Sequence, residues 1–251
     1  MSKKAIGIDI GGTGIKGAVV DTKHGTLLSE RLRYETPAGG TPKAIAKTLK
    51  DLIAQLPGAQ GLPVGICFPA VVQYGRTMSA ANVSKEWIGF DADTMFQQEL
   101  GREVHVLNDA DAAGIAEVKF GAAKDKRGLV ILTTLGTGIG TALMFNGKLI
   151  PNSELGHLEI DGVDYESKAA YSAKQRENLT WEQWAKRLQK YYSHLEALLT
   201  PDLFIVGGGV SKEHEFFLPL LKLKTPIIPA ENRNSAGILG AAHFAKKHAS
   251  D

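Results

Sequence analysis

The sequence predicts an α/β protein built on a repeated strand–loop–strand unit, and three observations carry that expectation. Short apolar runs alternate along the chain with stretches of helical period. DIGGTGIKGAVV (9–20) and TLGTGIGTALMF (134–145) each set a Gly/Thr loop between two apolar strands, a weak internal repeat. With 251 residues, 43% of them hydrophobic, the chain can bury a large core as one large or two modest domains.

AIGIDI (5–10) is the first strand and ends in glycines, and IKGAVVD (15–21) and LLSERLRY (27–34) follow as two more across the polar TKHG. Thr41 caps a helix with Pro42 at its first position; Ile45, Leu49, Leu52, Ile53 and Leu56 form its apolar stripe, and Pro57 with Gly58 stops it. VGICF (64–68) is a strand, 91–100 a helix closed by Gly101, and VHVL (104–107) a strand that delivers Asn108 and Asp109 at its end. A helix over 110–120 precedes the buried strand GLVILTT (128–134), and TALMF (141–145) turns at Asn146 and Gly147 into KLI. The polar stretch 158–178 gives no assignable period. Thr180 with Gln183 makes a capping box for a long helix. Its Trp181, Trp184, Leu188, Tyr191, Leu195 and Leu198 recur at spacings of three and four, which reads as a core stripe. DLFIVGGGV (202–210) is a strand running into three glycines, and 235–247 is a final helix in which Gly240 marks close packing.

Composition narrows the function classes. The basic N-terminus runs into Asp9 and glycines, so neither a signal peptide nor a membrane span fits, and a cytoplasmic location is expected. Cys67 is the sole cysteine, which excludes an internal disulfide framework and a cysteine-rich zinc site. Net charge is +2 from 29 basic and 27 acidic residues, so global charge gives no reason to expect nucleic-acid binding. Any anion site must be local. One basic excess gathers Lys119, Lys124, Lys126 and Arg127, and a second runs from Lys168 to Lys190; solvated helix faces look the same.

Three glycine-rich turns end buried strands: Asp9–Lys16, Leu135–Gly140 and Val206–Val210. Such turns let backbone N–H groups approach a phosphate closely, though any one of them is also what a tight turn needs. Thr13 and Thr137 add hydroxyls. The dinucleotide fingerprint fails because Gly136, Gly138 and Gly140 lead into a strand, and no G-K-[ST] ending makes a P-loop. A nucleotide or polyphosphate held between two loops remains. Asp9 could hold hydrated Mg²⁺ against donor phosphates or merely cap its turn. Asp109 could accept a proton from an attacking hydroxyl or merely cap the following helix. NSELGHLEIDG (152–162) concentrates Glu154, His157, Glu159 and Asp161, acceptors suited to a polyol; a metal site or a solvated loop are the rival readings.

IGIDIGGTGIKGAVVD, LNDADAAGIAE, TTLGTGIGTALMFNGKLIPNSELGH and LFIVGGGVS together resemble the ROK family of sugar kinases and repressors, over nearly the whole chain. The resemblance is narrowest to the polyphosphate-using glucokinase branch of that family. It implies two actin-like (ribonuclease H-like) α/β lobes of the sugar kinase, heat-shock protein 70 and actin superfamily, with a central cleft that closes around the sugar. The expected division is a small lobe of 1–107, completed by the C-terminal helix 236–251, and a large lobe of 108–235. Asp109 matches the family's catalytic base for the 6-hydroxyl. Asn82, Ser84, Asn108, Glu154, His157 and Glu159 match sugar-contacting positions. The donor is expected at Asp9, Gly11, Gly12, Thr13, Lys16, Gly136, Thr137, Gly138, Gly208 and Gly209, with Mg²⁺ held by Asp9 through the phosphates. Many family members follow their GH with a cysteine-rich zinc motif. GHLEIDGVDYESKAAYSAKQRENL has no cysteine, so no zinc is expected and some other packing must order 158–178. In this branch Lys119, Lys124, Lys174, Arg176, Lys186 and Arg187 are candidates for a polyphosphate path. The implied reaction is phosphorylation of glucose, or also mannose, from polyphosphate or ATP by a monomer or homodimer. The alternatives are an ATP-only kinase for another hexose or N-acetylhexosamine, and a sugar sensor without catalysis. With the first strand starting by Ala5, no DNA-binding segment is expected ahead of it, and a repressor is not expected.

Overall fold

The computed structural model describes residues 3–80 and 83–249. The chain divides into two compact units, one of Met1–Ala116 with Ser235–Asp251 and the other of Glu117–Asn234. In the first, β1 (Lys4–Ile10) and β2 (Ile15–Asp21) run antiparallel, with Asp9 opposite Lys16 and Ile10 opposite Ile15 across the glycine loop. β3 (Thr26–Leu27) and β4 (Leu32–Tyr34) both pair with β2. The expected continuous strand over 27–34 is therefore broken. Ser29 is the physical reason: its Oγ accepts from Val19 N at 3.0 Å, so a side chain occupies the ladder position a strand backbone would fill.

Thr41 caps α1 (Pro42–Ala54), accepting from Ala44 N, and the helix buries Ile45, Leu49, Leu52 and Ile53. β5 (Val64–Phe68) is buried throughout and lies parallel to β1. β6 (Val72–Gln73), β7 (Arg76–Thr77) and β8 (Phe90–Asp91) form a small sheet that leads into α2 (Ala92–Leu100), capped by Asp91 and ended by Gly101 at φ 62°. β9 (Val104–Asn108) extends the main sheet to the order β3-β2-β1-β5-β9 and passes directly into α3 (Asp109–Phe120). Strands β1, β5 and β9 are parallel and largely buried on both faces, which is why they read as mostly apolar runs, interrupted at Asp9 in β1 and His105 in β9.

The second unit repeats the opening. β10 (Leu129–Leu135) and β11 (Ile139–Phe145) are antiparallel around the second glycine loop, and β12 (Lys148–Ile150) continues the meander. Residues 158–178 hold β13 (Glu159–Ile160), β14 (Val163–Asp164), α4 (Glu166–Ala169) and α5 (Tyr171–Arg176). The capping box starts α6 (Trp181–Leu199), which buries Trp184, Leu188, Tyr191 and Leu195. Leu198 is not part of that core, being 63% exposed near the helix end, and Trp181 is half-buried against Phe216 and Phe217. Tyr192, beside Tyr191 and four residues on from Leu188, is buried in the same core, and its hydroxyl finds a partner there in Thr133 Oγ1 at 2.6 Å. β15 (Leu203–Gly207) and β16 (Ile227–Pro229) complete the sheet order β12-β11-β10-β15-β16.

α7 (Ala236–His248) belongs to the first unit and lies against β1, β5 and β9. Gly65 and Gly240 make this approach possible: a Cβ on Gly65 would overlap the Ala241 carbonyl, and one on Gly240 the Ala112 carbonyl of α3. Among the described residues no helix is long and apolar enough to cross a membrane.

Candidate active site

Each unit presents chemistry at the carboxyl edge of its sheet. In the first unit Asp9 lies opposite Cys67, and Phe68 lies opposite Asn108, so β1, β5 and β9 end side by side. Two strand spacings, about 10 Å, separate Asp9 from Leu107, and Asp109 follows two residues beyond it at the start of α3. Both charges reach the thiol between them. Burial pushes the Cys67 thiol well up, and the carboxylates of Asp9 and Asp109 push it further.

Asn108 resolves the ambiguity over the helix cap. Its Oδ1 accepts from Ala110 N at 2.8 Å and Asp111 N at 3.0 Å, and its Nδ2 donates to Ala70 O at 3.0 Å. Asn108 is therefore the cap of α3, and it is buried. Asp109 occupies the first turn with an exposed side chain that accepts from Ala110 N at 2.8 Å.

The first glycine loop is closed by Gly11 N donating to Gly14 O at 3.0 Å, and Thr36 Oγ1 donates to Gly11 O at 2.5 Å. Gly12 and Thr13 are exposed at its tip. Lys16 Nζ reaches Asp9 Oδ2 at 3.2 Å. Ser84 caps a short turn at Lys85–Trp87 and also hydrogen-bonds Glu86. Asn82 lies outside the described residues.

In the second unit Gly136 N donates to Gly138 O at 3.0 Å, closing the matching loop, whose Thr137 is exposed. The segment without sequence period is what braces it. Ser172 N donates to Gly136 O at 3.0 Å, Ser172 Oγ donates to Thr137 O at 2.6 Å, and Glu166 Oε2 accepts from Ile139 N at 2.7 Å. Glu166 and Asp164 are the residues that sequence reading missed. One faint sequence signal lay beside them, the Asp161–Gly162 turn pair; the structure adds that Asp164 accepts from Glu166 N at the start of α4. Gly208, at φ 82°, turns the chain out of β15 beside Leu135, and Gly209 is exposed next to it.

The polyol-type segment hangs from β11. Thr141 Oγ1 donates to Ser153 O at 2.7 Å and accepts from Leu155 N, while Tyr191 OH donates to Leu155 O at 3.1 Å. This leaves Glu154, His157 and Glu159 exposed. His157 Nδ1 meets Asp164 Oδ2 at 2.8 Å, and that bond raises the imidazole above its ordinary value. Partial burial raises Glu154, opposed by the His157 charge and reinforced by Glu166. Glu154, His157 and Glu166 thus share one electrostatic neighbourhood.

The candidate polyphosphate cations separate into two groups. Arg176 and Arg187 both pair with Glu177, whose pKa the Arg187 bond pulls down to about 2, and Lys174 Nζ sits 4.2 Å from the centroid of the Trp181 ring. Lys119, Lys124 and Lys186 are exposed and have no acidic partner among the described residues. Among those residues no group of three or more His, Cys, Asp or Glu could cage a metal ion. Mg²⁺ asks for less, since it binds through one or two carboxylates, waters and substrate phosphates, and Asp9 supplies one such carboxylate.

The ROK family model matches residues 5–169. The polyphosphate glucokinase of Mycobacterium tuberculosis is 46% identical over 96% of this chain and 90% of its own, and that of Mycobacterium leprae is 46% identical over 95% and 74%. The inorganic polyphosphate/ATP-glucomannokinase of Arthrobacter sp. strain KM superposes with TM-score 0.92 at 51% identity, covering 98% and 99% of the two chains. A ROK family glucokinase from Streptomyces griseus, solved with glucose and AMPPNP, gives TM-score 0.81 at 26% identity over 97% and 99%. The α/β sugar-kinase fold implied by the sequence is thus the fold observed. The two glycine loops, the Asn108–Asp109 pair and the ELGH segment all lie in the matched span, and the chain belongs to the ROK family.

Proposed function

We propose that this chain transfers a phosphoryl group from inorganic polyphosphate or ATP to the 6-hydroxyl of glucose, with mannose as a second acceptor, in the cytoplasm. The observation that carries the reading is the division of labour at the start of α3. Asn108 satisfies the helix N-terminus, so the exposed carboxylate of Asp109 is not the cap and stands on the same edge as Asp9. The relatives named above support the donor and acceptor classes.

In this reading Asp109 accepts the proton of the sugar 6-hydroxyl as that oxygen bonds to the terminal phosphorus of the donor. The bond from phosphorus to the bridging oxygen breaks, and the shortened donor leaves with that electron pair. Glu154, His157 and Glu159 hold the other hydroxyls, and Asn108 keeps its second amide proton for one of them. Asn82 and Ser84 serve the same sugar. The amides of Gly12 and Gly138, with Thr13, Thr137 and Lys16, bear on the charge of the transferring group, Gly11 and Gly136 spend their own amides closing the two loops, and Gly208 and Gly209 bear on the donor's far side. Mg²⁺, held against the phosphates by Asp9, would neutralise part of their charge.

The test is a panel of ATP and long-chain polyphosphate against glucose, mannose, fructose and N-acetylglucosamine, with the product's phosphate located by ³¹P NMR. Hexose 6-phosphate from glucose with both donors is the expected result. Turnover with ATP alone would remove the polyphosphate assignment. Glucose-dependent thermal stabilisation without product would make the chain a sensor.

A further inference from the structure

We infer that a long polyphosphate donor leaves the second unit's carboxyl edge across a pinned basic rim made by Lys119, Lys124 and Arg233. This rests on the proposed use of polyphosphate and names where the polymer beyond the reacting end is held.

The rim is built around a buried acid. Glu117, on α3, is fully buried, and its carboxylate accepts from Ala122 N at 2.8 Å, Glu231 N at 3.1 Å, Asn232 N at 2.8 Å and Asn232 Nδ2 at 3.1 Å. One carboxylate therefore clamps two surface turns, the one after α3 and the one after β16. The turn after α3 carries Lys124, whose N donates to Gly121 O, and Lys119 lies just before it. The turn after β16 carries Arg233 at φ 45°. All three cations are exposed, and none pairs with an acid among the described residues.

Topology connects this rim to the donor loops. β10, β15 and β16 are parallel neighbours, with Thr134 opposite Gly207 and Val206 opposite Pro229. Their carboxyl ends feed, in order, the Gly136–Gly138 loop, the Gly208–Gly209 turn and the 230–233 turn. A chain of phosphates leaving the glycine loops along this edge meets the Glu117-pinned turns next. The exposed acids there are Asp125 and Glu231, against Lys119, Lys124, Lys126, Arg127 and Arg233, so the rim stays cationic. On the helical side, Arg176 and Arg187 already neutralise Glu177 and Lys174 already covers Trp181. A polyanion is recognised by spaced charges held in fixed positions, which the clamped turns provide.

The test compares wild type with the triple variant Lys119→Ala, Lys124→Ala, Arg233→Ala. Glucose is the acceptor, and ATP, tripolyphosphate and long-chain polyphosphate are the donors. We expect KM for the long chain to rise about tenfold, from three exposed ion contacts, with KM for ATP, tripolyphosphate and glucose unchanged. The difference should vanish near about 0.5 M salt. An unchanged long-chain KM, or an equal rise for all three donors, would overturn the rim. If wild type itself turns over with ATP and not with polyphosphate, the donor assignment falls and the rim with it. That result is seen before any variant is made.

Discussion

Replacing Asn108 by alanine should destabilise the first unit by an amount set by three hydrogen bonds. The cap oxygen serves Ala110 N and Asp111 N, and losing such a cap costs about 1 kcal/mol. The amide also donates to the buried Ala70 carbonyl, and stranding that acceptor costs about 1–2 kcal/mol more. The sum, about 2–3 kcal/mol, corresponds to a melting midpoint lowered by roughly 5–10 °C for a chain of this size. Asn108→Ser separates the two contributions. Serine retains a capping oxygen but is too short to reach Ala70, so its midpoint should fall between alanine and wild type. Differential scanning calorimetry on the three proteins reads the order directly. If the alanine variant melts with wild type, or serine is no better than alanine, Asn108 is not the cap, and the case for an Asp109 carboxylate released from that role fails with it.

Other substitutions probe the second unit and the packing of α7 in the first. Gly138→Ala would drive a Cβ into the Glu166 carboxylate that holds Ile139 N, so donor KM should rise about tenfold or more while the fold, followed by circular dichroism, stays intact. Asp164→Asn removes the carboxylate that raises His157, so the imidazole midpoint should move down toward its ordinary value when titrated by NMR. The sign for stability follows. A raised His157 contributes fully below its unfolded value near about 6.5, and the contribution is lost as pH rises through the folded value, so wild type and Asp164→Asn should converge in stability on the alkaline side. Gly240→Ala should destabilise more than any surface change, by about 2–4 kcal/mol, because the Ala112 carbonyl it meets is backbone and cannot rotate away.

The parts of the fold legible in the sequence are those whose signals are local. The Thr180–Gln183 capping box, the Thr41–Pro42 helix start and the short apolar runs of β1, β5 and β10 are each written in a few adjacent residues. The two glycine loops were legible for the same reason. Residues 158–178 were not, because their order comes from distant partners: Trp184 Nε1 donates to Ala169 O, Ser172 grips Gly136 and Thr137, and Glu166 reaches Ile139. None of those contacts leaves a period in the chain. Glu117 was invisible likewise, since an acid within a helix reads as a solvent-facing residue until the 231–232 turn arrives to bury it. Leu198 failed in the opposite direction, keeping the helical spacing of a core residue past the point where the core ends.

The role of Asp109 is tested most directly by Asp109→Asn assayed at saturating glucose with each donor, alongside its melting midpoint. The amide keeps the side chain's shape yet cannot accept the hydroxyl proton, so turnover should fall by about 10² to 10⁴ with ATP and polyphosphate alike, in a protein that still binds glucose and melts near wild type. Turnover close to wild type in that folded variant would contradict the account.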